Sequence, residues 1–462
     1  MPVPDAPATA TPHSEPPVDR VYLAACAVFL FLLPVSTALS GIGMAVMVIV
    51  AFLAWPKFSS TLWPVVRSPI MWTALAWLAW CALTLAWSGD PGQGLDELGA
   101  ARHLLVPLLL WPLLAERRLL VAALLGGVFI QNLVQFAHAL GLLEAGAHGA
   151  DGRTGGWLHP IQTGAFCGAA LCWHLAWIVH ERSRWRWLAL IPALAAFAGL
   201  LLTGSRGPWL ATLIAVPLEL VIIIARRPGR RRFALVLAGA GVLAASVGGS
   251  IARGMIAQRL QSAADEYRGA IEREEFGTSV GLRIGLWTWA WDAFRARPVT
   301  GHGAGSFRAL MIEQPAYQRA AARDPALAKE YIQRDHAHST YLHLLACTGV
   351  IGAGLFIAFM VQALIAAWRL PLRYPLDEAV FPALILWMIV VQFDALHLNG
   401  HMFGLLCFLV ALALPGAAGR PPRYDAPPPA PPPGSAPALV DSSGPDRHVR
   451  QPQRPSIIGD LP

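Results

Sequence analysis

Two histidines lie where a charged stretch of the chain gives way to an apolar one. His336 and His338 follow segment 252–335, which is rich in charged residues, and they lie just before or at the start of a long apolar run at 339–368. Imidazole is the side chain best suited to proton transfer near neutral pH, and a half-desolvated boundary is a place where its pKa can be tuned. The pattern predicts acid–base chemistry at this edge, with the rest of the chain delivering a lipid-borne substrate to it.

Arginines in the short loops on the same predicted side of the membrane form a second group of candidates. Basic residues are scarce in these loops, and the exceptions are Arg102, Arg153 and Arg206. Arg206 lies in the turn TGSRGP, where glycines allow close backbone approach and the proline suits the first turn of a helix. Its planar guanidinium could hold a diphosphate in two-point contact. The alternative is an arginine that anchors the helix at the interface or caps its carbonyls.

Arg283 is the second candidate for anion binding. It falls on a predicted amphipathic helix that starts at Ser279 as a plausible cap, and it shares a face with Trp287 and Phe294. That face is expected to point down onto the membrane domain, although an ordinary solvated charge is the alternative. Two weaker candidates for the same region lie between residues 151 and 160, namely Arg153 and His159.

Neither a metal nor an organic cofactor is expected. The His-x-His spacing of residues 336 and 338 puts both rings on one side only in an extended chain, and no carboxylate or cysteine set completes a plausible site. The glycine-rich stretch GHGAG at 301–305 follows a predicted helix and not a strand, so a dinucleotide-binding interpretation fails. A turn joining two helices is the better account of it.

Composition assigns the chain to the membrane proteins. Hydrophobic residues make up 55% of it and charged residues 14%, against about 25% charged in soluble domains. The net charge of +7 falls mostly in short arginine clusters between apolar runs, as in cytoplasmic loops, so nucleic acid is not an expected partner. The six cysteines all lie inside apolar runs and are predicted to be small core residues.

Apolar runs predict an all-α protein with about twelve transmembrane helices. The candidate spans are 21–39, 41–55, 70–87, 103–115, 118–142, 161–180, 187–203, 208–225, 233–251, 339–368, 380–396 and 399–418. Basic residues fall in every second loop, which places both termini in the cytoplasm. Segment 252–335 is then on the outer side, the periplasm of a Gram-negative cell, as a helical lid.

Five regions follow from this topology. Residues 1–19 are predicted to be a disordered cytoplasmic tail, and the proline-rich residues 420–462 a second one. Residues 20–251 hold the first nine spans and residues 336–419 the last three, separated by the lid at 252–335.

Three motifs together resemble the O-antigen ligase/polymerase superfamily. They are TGSRG at 203–207, Leu282-Arg283 with the downstream PVTGHG at 298–303, and HSTYL at 338–342 leading to TGVIG at 348–352. Each is weak alone, but their order and their shared placement at the outer face make the set fairly specific. Within the superfamily the chain looks most like the O-antigen ligases.

The resemblance implies a GT-C-type membrane glycosyltransferase that uses neither metal nor nucleotide sugar. Its donor would be an undecaprenyl-diphosphate-linked glycan and its acceptor lipid A–core. By carry-over, Arg206 and Arg283 hold the diphosphate and His338 acts at the acceptor hydroxyl, with His336 as the rival base. The family often has asparagine where this chain has Ser339, which leaves the orienting group open, and Tyr341 belongs to the same motif.

Three other functions compete with this prediction. An O-antigen polymerase uses the same donor but a second lipid-linked glycan as acceptor, and an O-linked protein oligosaccharyltransferase usually has a larger soluble carboxyl-terminal part. A lipid-linked glycan flippase would favour internal repeats and charges near the bilayer midplane. The sequence shows no clear repeat, and its candidate charges gather at one face.

Overall fold

The computed structural model describes residues 17–144, 153–181, 183–251, 253–323, 335–370 and 375–414. Within these ranges every regular element is a helix, in agreement with the predicted all-α class. Both predicted tails fall largely or wholly outside the described residues, and the first helix already begins at Pro17.

The α-helices are numbered here in chain order, and short 3-10 turns join several of them. Their bounds are α1 Pro17–Leu32, α2 Thr37–Leu53, α3 Trp55–Val66, α4 Pro69–Thr84, α5 Pro91–Leu98, α6 Leu105–Leu110, α7 Arg117–Ala139, α8 Pro160–His180, α9 Leu190–Leu202, α10 Arg206–Arg226, α11 Arg231–Ile251, α12 Arg253–Arg273, α13 Ser279–Ala296, α14 Phe307–Glu313, α15 Pro315–Arg323, α16 Thr340–Trp368, α17 Val380–Val390 and α18 Gly400–Ala413.

Five helical stretches of the described chain are long and apolar enough to cross a membrane. They are Pro69–Trp87, Pro91–Ala139, Pro160–His180, Arg206–Arg226 and Thr340–Trp368. Shorter apolar helices accompany them, among them Thr37–Leu53 and Gly400–Ala413. The runs predicted as separate spans at 103–115 and 118–142 lie within one continuous helical stretch. A total of twelve crossings stays a prediction.

Helices α8 and α18 form the centre of the bundle. Nearly all of α18 is buried, and α8 buries residues all around its axis, including Phe166 and Trp173. A helix that is apolar on every side is one that other helices surround. Helices α4 and α16 pack together beside this centre, as do α10 and α17.

A second, small hydrophobic core is formed by the described part of segment 252–335, which we call the lid, together with the start of α16. Leu286 and Trp289 of α13 pack with Phe307 of α14 and with Ala346 of α16 in one buried cluster. The lid therefore rests on the first turns of α16. The cap of α13 is Thr278, whose side chain accepts a hydrogen bond from Gly281 N, so the predicted cap at Ser279 is wrong by one residue.

A break in α16 receives the loop that follows α13. Gly349 has φ 65°, which interrupts the helix, and Val350 N donates to Pro298 O at 2.8 Å across the break. From the loop, Gly303 N donates to Cys347 O at 2.7 Å. A Cβ at Gly349 would lie 2.2 Å from Val299 O, so glycine is required there. The stretch 301–305 joins α13 to α14, as predicted.

Candidate active site

His338 lies between the lid core and the start of α16 in a backbone conformation that histidine rarely adopts. Its φ is 47°, in the left-handed region. The next residue, Ser339, is extended and caps α16 by accepting a hydrogen bond from Leu342 N at 3.4 Å. Ala337, the residue before His338, is fully buried in the lid core. The chain therefore turns sharply at His338, between the buried Ala337 and the capped start of α16. Backbone strain of this kind is concentrated at functional sites.

Asp394, in the loop after α17, pairs with the His338 ring. Nδ1 of His338 lies 3.2 Å from Oδ1 of Asp394, and each side chain is 12% exposed. Burial opposes ionisation of this carboxyl, but the neighbouring rings of His338 and His336 outweigh it and hold the pKa of Asp394 well below its usual range. With the imidazole proton on Nδ1, Nε2 is left as a proton acceptor. Both ring nitrogens of His338 are buried without a hydrogen bond of regular geometry among the described residues, so Nδ1 meets Asp394 as a charge contact and Nε2 has no partner.

His336 stacks edge-on against His338, with ring centroids 4.5 Å apart. Its Nδ1 accepts a hydrogen bond from the backbone N–H of His338 at 3.2 Å. Burial lowers the pKa of His336 to about 4, so this ring is neutral at neutral pH. Because Nδ1 of His336 accepts this hydrogen bond, the single proton of the neutral ring lies on Nε2. Neither nitrogen of His336 is then free to accept a proton from a substrate, so His338 is the better placed base.

The same three side chains are the group within the described chain that could hold a metal ion. One donor atom each of His336, His338 and Asp394 lies within 4.8 Å of the others. A metal would compete with the hydrogen bond that His336 Nδ1 accepts from the backbone. It would also occupy the lone pair that a general base needs. The expectation of metal-independence therefore stays a prediction that chelation can test.

Arg153, Arg206 and Arg283 line one cavity of about 330 Å³, which we call the arginine cavity. Arg153 donates to Ser205 Oγ at 2.9 Å and to Thr203 O at 3.2 Å, so it braces the turn that carries Arg206. Arg283 donates to Ser279 O at 2.8 Å. Arg206 is exposed and has no partner among the described residues. The sequence predicted this convergence of Arg206 and Arg283, and the structure brings them together.

Two helix N-termini also face the arginine cavity. Arg206 and Gly207 begin α10, and Ser279 and Val280 begin α13. The first turn of α10 receives no side-chain hydrogen bond from its cap residue Ser205. Free N–H groups and the positive end of a helix dipole both favour anions. Glu266 is the acidic member of the lining and accepts a hydrogen bond from Val280 N at 3.0 Å.

The arginine cavity and the histidine pair share a wall. Trp287 lines the cavity and its indole N–H donates to the His338 carbonyl at 3.3 Å. Phe393 lines the cavity and adjoins Asp394 in sequence. The lid helix α13 and the loop after α17 therefore bring the arginines and His338 to one place, although these residues are far apart in the chain.

The other candidates occupy supporting positions. Arg102 is exposed, donates to Gly99 O at 2.7 Å and does not line the arginine cavity. Tyr341 donates from its hydroxyl to Met388 O at 3.0 Å, which ties α16 to α17. Ser339 caps α16, and its side chain makes no hydrogen bond to the His338 ring among the described residues. His159 caps α8, accepting a hydrogen bond from Ile161 N at 3.4 Å, and its charge contributes to the lowered pKa of Asp394.

Comparison with known proteins finds one family. The family model described as O-Antigen ligase matches residues 191–357, a range that includes Arg206, Arg283 and His338 but ends before Asp394. A search of curated proteins finds no match to the chain.

Proposed function

The match of the family model to residues 191–357 supports membership of the O-antigen ligase/polymerase superfamily, and on that premise we propose that this multi-pass membrane protein is an O-antigen ligase. It transfers an O-antigen glycan from undecaprenyl diphosphate to lipid A–core oligosaccharide in lipopolysaccharide biosynthesis. The observation that carries the proposal is the arginine cavity beside the His338–Asp394 pair. Displacement of a diphosphate by a sugar hydroxyl needs an anion site and a base that share one edge.

The proposed reaction is a direct displacement. The acceptor hydroxyl oxygen attacks the anomeric carbon, its proton passes to Nε2 of His338, and the bond from that carbon to the diphosphate oxygen breaks. Asp394 stabilises the imidazolium that forms. Arg206 and Arg283 take up the charge that grows on the departing undecaprenyl diphosphate. A single displacement inverts the anomeric configuration, and the step uses neither metal nor nucleotide sugar.

The proposal extends to architecture and location. The chain is taken as a GT-C-type glycosyltransferase of about twelve spans in the bacterial inner membrane, with both termini in the cytoplasm. Its site opens to the periplasm, where segment 252–335 covers it as a lid. The alternation of basic loops in the sequence supports this orientation.

The nearest rivals differ only in the acceptor, so the acceptor is what the test varies. Purified full-length protein in liposomes receives undecaprenyl-diphosphate-linked glycan together with lipid A–core, with no second substrate, or with an acceptor protein. A ligase yields glycan on lipid A–core. Longer lipid-linked glycan indicates the polymerase, glycosylated protein an oligosaccharyltransferase, and movement of the donor across the bilayer without a new bond a flippase.

The variant His338→Ala identifies the base in the same assay. It should fold and keep its affinity for the donor but lose transfer by at least about a hundredfold, since general bases contribute about 10²–10⁴. His336→Ala should retain most of the activity. Full activity of His338→Ala would refute the assignment of His338 as the general base. A rate that chelation lowers and a divalent cation restores would assign the three side chains to a metal instead.

A further inference from the structure

A second cavity, of about 280 Å³, has Asp394 in its lining. We call it the polar cavity, because its lining carries the carboxylates of Asp96, Glu97, Asp335 and Asp394 and the amides of Gln93 and Gln162. Among its described lining residues there is no arginine or lysine. The arginine cavity is lined by three arginines and one carboxylate, that of Glu266. Asp394 lines the polar cavity, and its neighbour in sequence, Phe393, lines the arginine cavity.

The polar side chains are held in place before any ligand binds. Gln93 donates from Nε2 to Asp335 Oδ2 at 3.1 Å. Glu97 accepts from Gly305 N at 2.9 Å through Oε2. Its other oxygen, Oε1, is buried without a hydrogen-bond partner among the described residues, and the side chain is 6% exposed. Its nearest cationic group is Nε2 of His343, at 3.5 Å. Glu97 is therefore held through both of its carboxylate oxygens, by a backbone N–H on one and by the His343 ring on the other.

We propose that the polar cavity binds the terminal sugar of the acceptor and selects one that carries no phosphate. This rests on the proposed function. A sugar presents many hydroxyl donors, which carboxylate and amide oxygens accept. A phosphate on the same ring would face several carboxylates, with no arginine or lysine among the described lining residues to pair it, and such repulsion is how a site rejects a competitor. A sugar that bears a protonated amine is accepted, because the carboxylates of the lining attract its positive charge.

The two cavities then keep the two substrates apart. The diphosphate is attracted to the three arginines of one cavity and repelled by the four carboxylates of the other, whereas the acceptor ring finds most of its hydrogen-bond acceptors in the polar cavity. The hydroxyl that reacts is delivered next to His336 and Asp394, at the edge where His338 lies. Charge, and not shape alone, therefore fixes which substrate enters which side.

The test uses two synthetic lipid-linked core oligosaccharides that differ only by a phosphate on the terminal sugar. With purified full-length protein in liposomes, the phosphorylated acceptor should have a KM at least about tenfold higher than its counterpart. Asp96→Lys places a cation at the exposed rim of the cavity, and it should narrow or reverse that ratio. Gln93→Ala, which releases Asp335, should raise the KM for the unphosphorylated acceptor. The KM for the donor should not change in either variant.

The matched control is Asp265→Lys, the same charge change on the exposed face of α12 and outside the lining of the polar cavity. It should leave both acceptors unaffected. Equal use of the two acceptors by the unmodified protein, or a ratio that Asp96→Lys does not move, overturns the proposal. So does an effect of either cavity variant on the donor instead.

A binding measurement separates this proposal from the proposed function. Soluble core oligosaccharides, with and without the phosphate, are titrated against the protein and followed by saturation-transfer difference NMR. Preferential binding of the unphosphorylated form that Asp96→Lys weakens supports the polar cavity even where no transfer to lipid A–core occurs, in which case the ligase assignment alone fails. Transfer to lipid A–core without preferential binding of the unphosphorylated form supports the ligase assignment and refutes the proposed role of the polar cavity.

Discussion

Replacing Asp394 with asparagine should cost about two orders of magnitude in kcat while leaving the protein folded. The substitution keeps size and the acceptor oxygen that Ala395 N contacts at 2.9 Å, but it removes the charge. Opposite unit charges 3.2 Å apart interact by about 5 kcal/mol at an effective dielectric constant near 20. Since both side chains are partly exposed, water screens some of this, and roughly 3 kcal/mol is left to stabilise the imidazolium. Each 1.36 kcal/mol is tenfold in rate.

The assay is initial-rate transfer in liposomes across pH 5 to 9, with Asp292→Asn on the exposed side of α13 as the matched control. The rate should rise with pH along the acid limb because the base must be deprotonated. In Asp394→Asn the rate should be lower throughout this range, since the carboxylate charge that faces the His338 ring is gone at every pH. His336→Gln should leave the limb in place, because the pKa of His336 is already lowered to about 4. Asp394 itself stays ionised throughout this range, as its pKa is held well below the usual value.

A structural role for Asp394 would give a different result. If asparagine lowered the melting temperature strongly and the surviving folded fraction kept a normal kcat and pH profile, the carboxylate would be part of the scaffold and not the partner of the base. A kcat that Asp394→Asn leaves unchanged would also contradict the argument.

Two further predictions concern the anion site and the lid. Arg206→Lys should lower kcat/KM for the donor by about ten- to a hundredfold, because a point charge cannot reproduce the two-point contact of the guanidinium. Unchanged donor kinetics would remove Arg206 from the site. Gly349→Ala should reduce the yield of folded protein sharply, because its Cβ would meet Val299 O at 2.2 Å at a φ of 65°. Gly354→Ala in the same helix has no atom within 4 Å of the new Cβ and should behave normally, as thermal melts in detergent would show.

The placement of Arg206 and Arg283 at one cavity could be predicted from the sequence, because each arginine carries a local signal. Arg206 stands against the charge rule for outer loops and lies in a turn whose glycines and proline specify a helix start. Arg283 shares a helical face with Trp287, and periodicity alone predicts that this face is turned inward. Both signals are short-range, so one sequence suffices to read them.

The pairing of His338 with Asp394 could not be predicted from the sequence in the same way. Asp394 lies near the end of an apolar run, and its pairing depends on how α17 packs against α16, which no local pattern encodes. Ser339 is a candidate orienting group in the sequence because it stands where the resembled family often has asparagine. A serine directly before an apolar helix is, however, an N-cap signal in its own right, and reading it so would have left the orienting role to a distant carboxylate.

That cap gives a test of how the base is held. Ser339→Ala removes an N-cap, which typically costs about 1 kcal/mol. Ser36→Ala removes the cap of α2, where Ser36 likewise accepts a 3.4 Å hydrogen bond from the residue three positions on. Both variants should lower the melting temperature by a few degrees or less. Only Ser339→Ala should also lower kcat, because the left-handed turn at His338 is held by the cap on one side and by buried Ala337 on the other. Equal kcat values in the two variants would mean that the helix start does not fix the imidazole, and that Asp394 alone orients it.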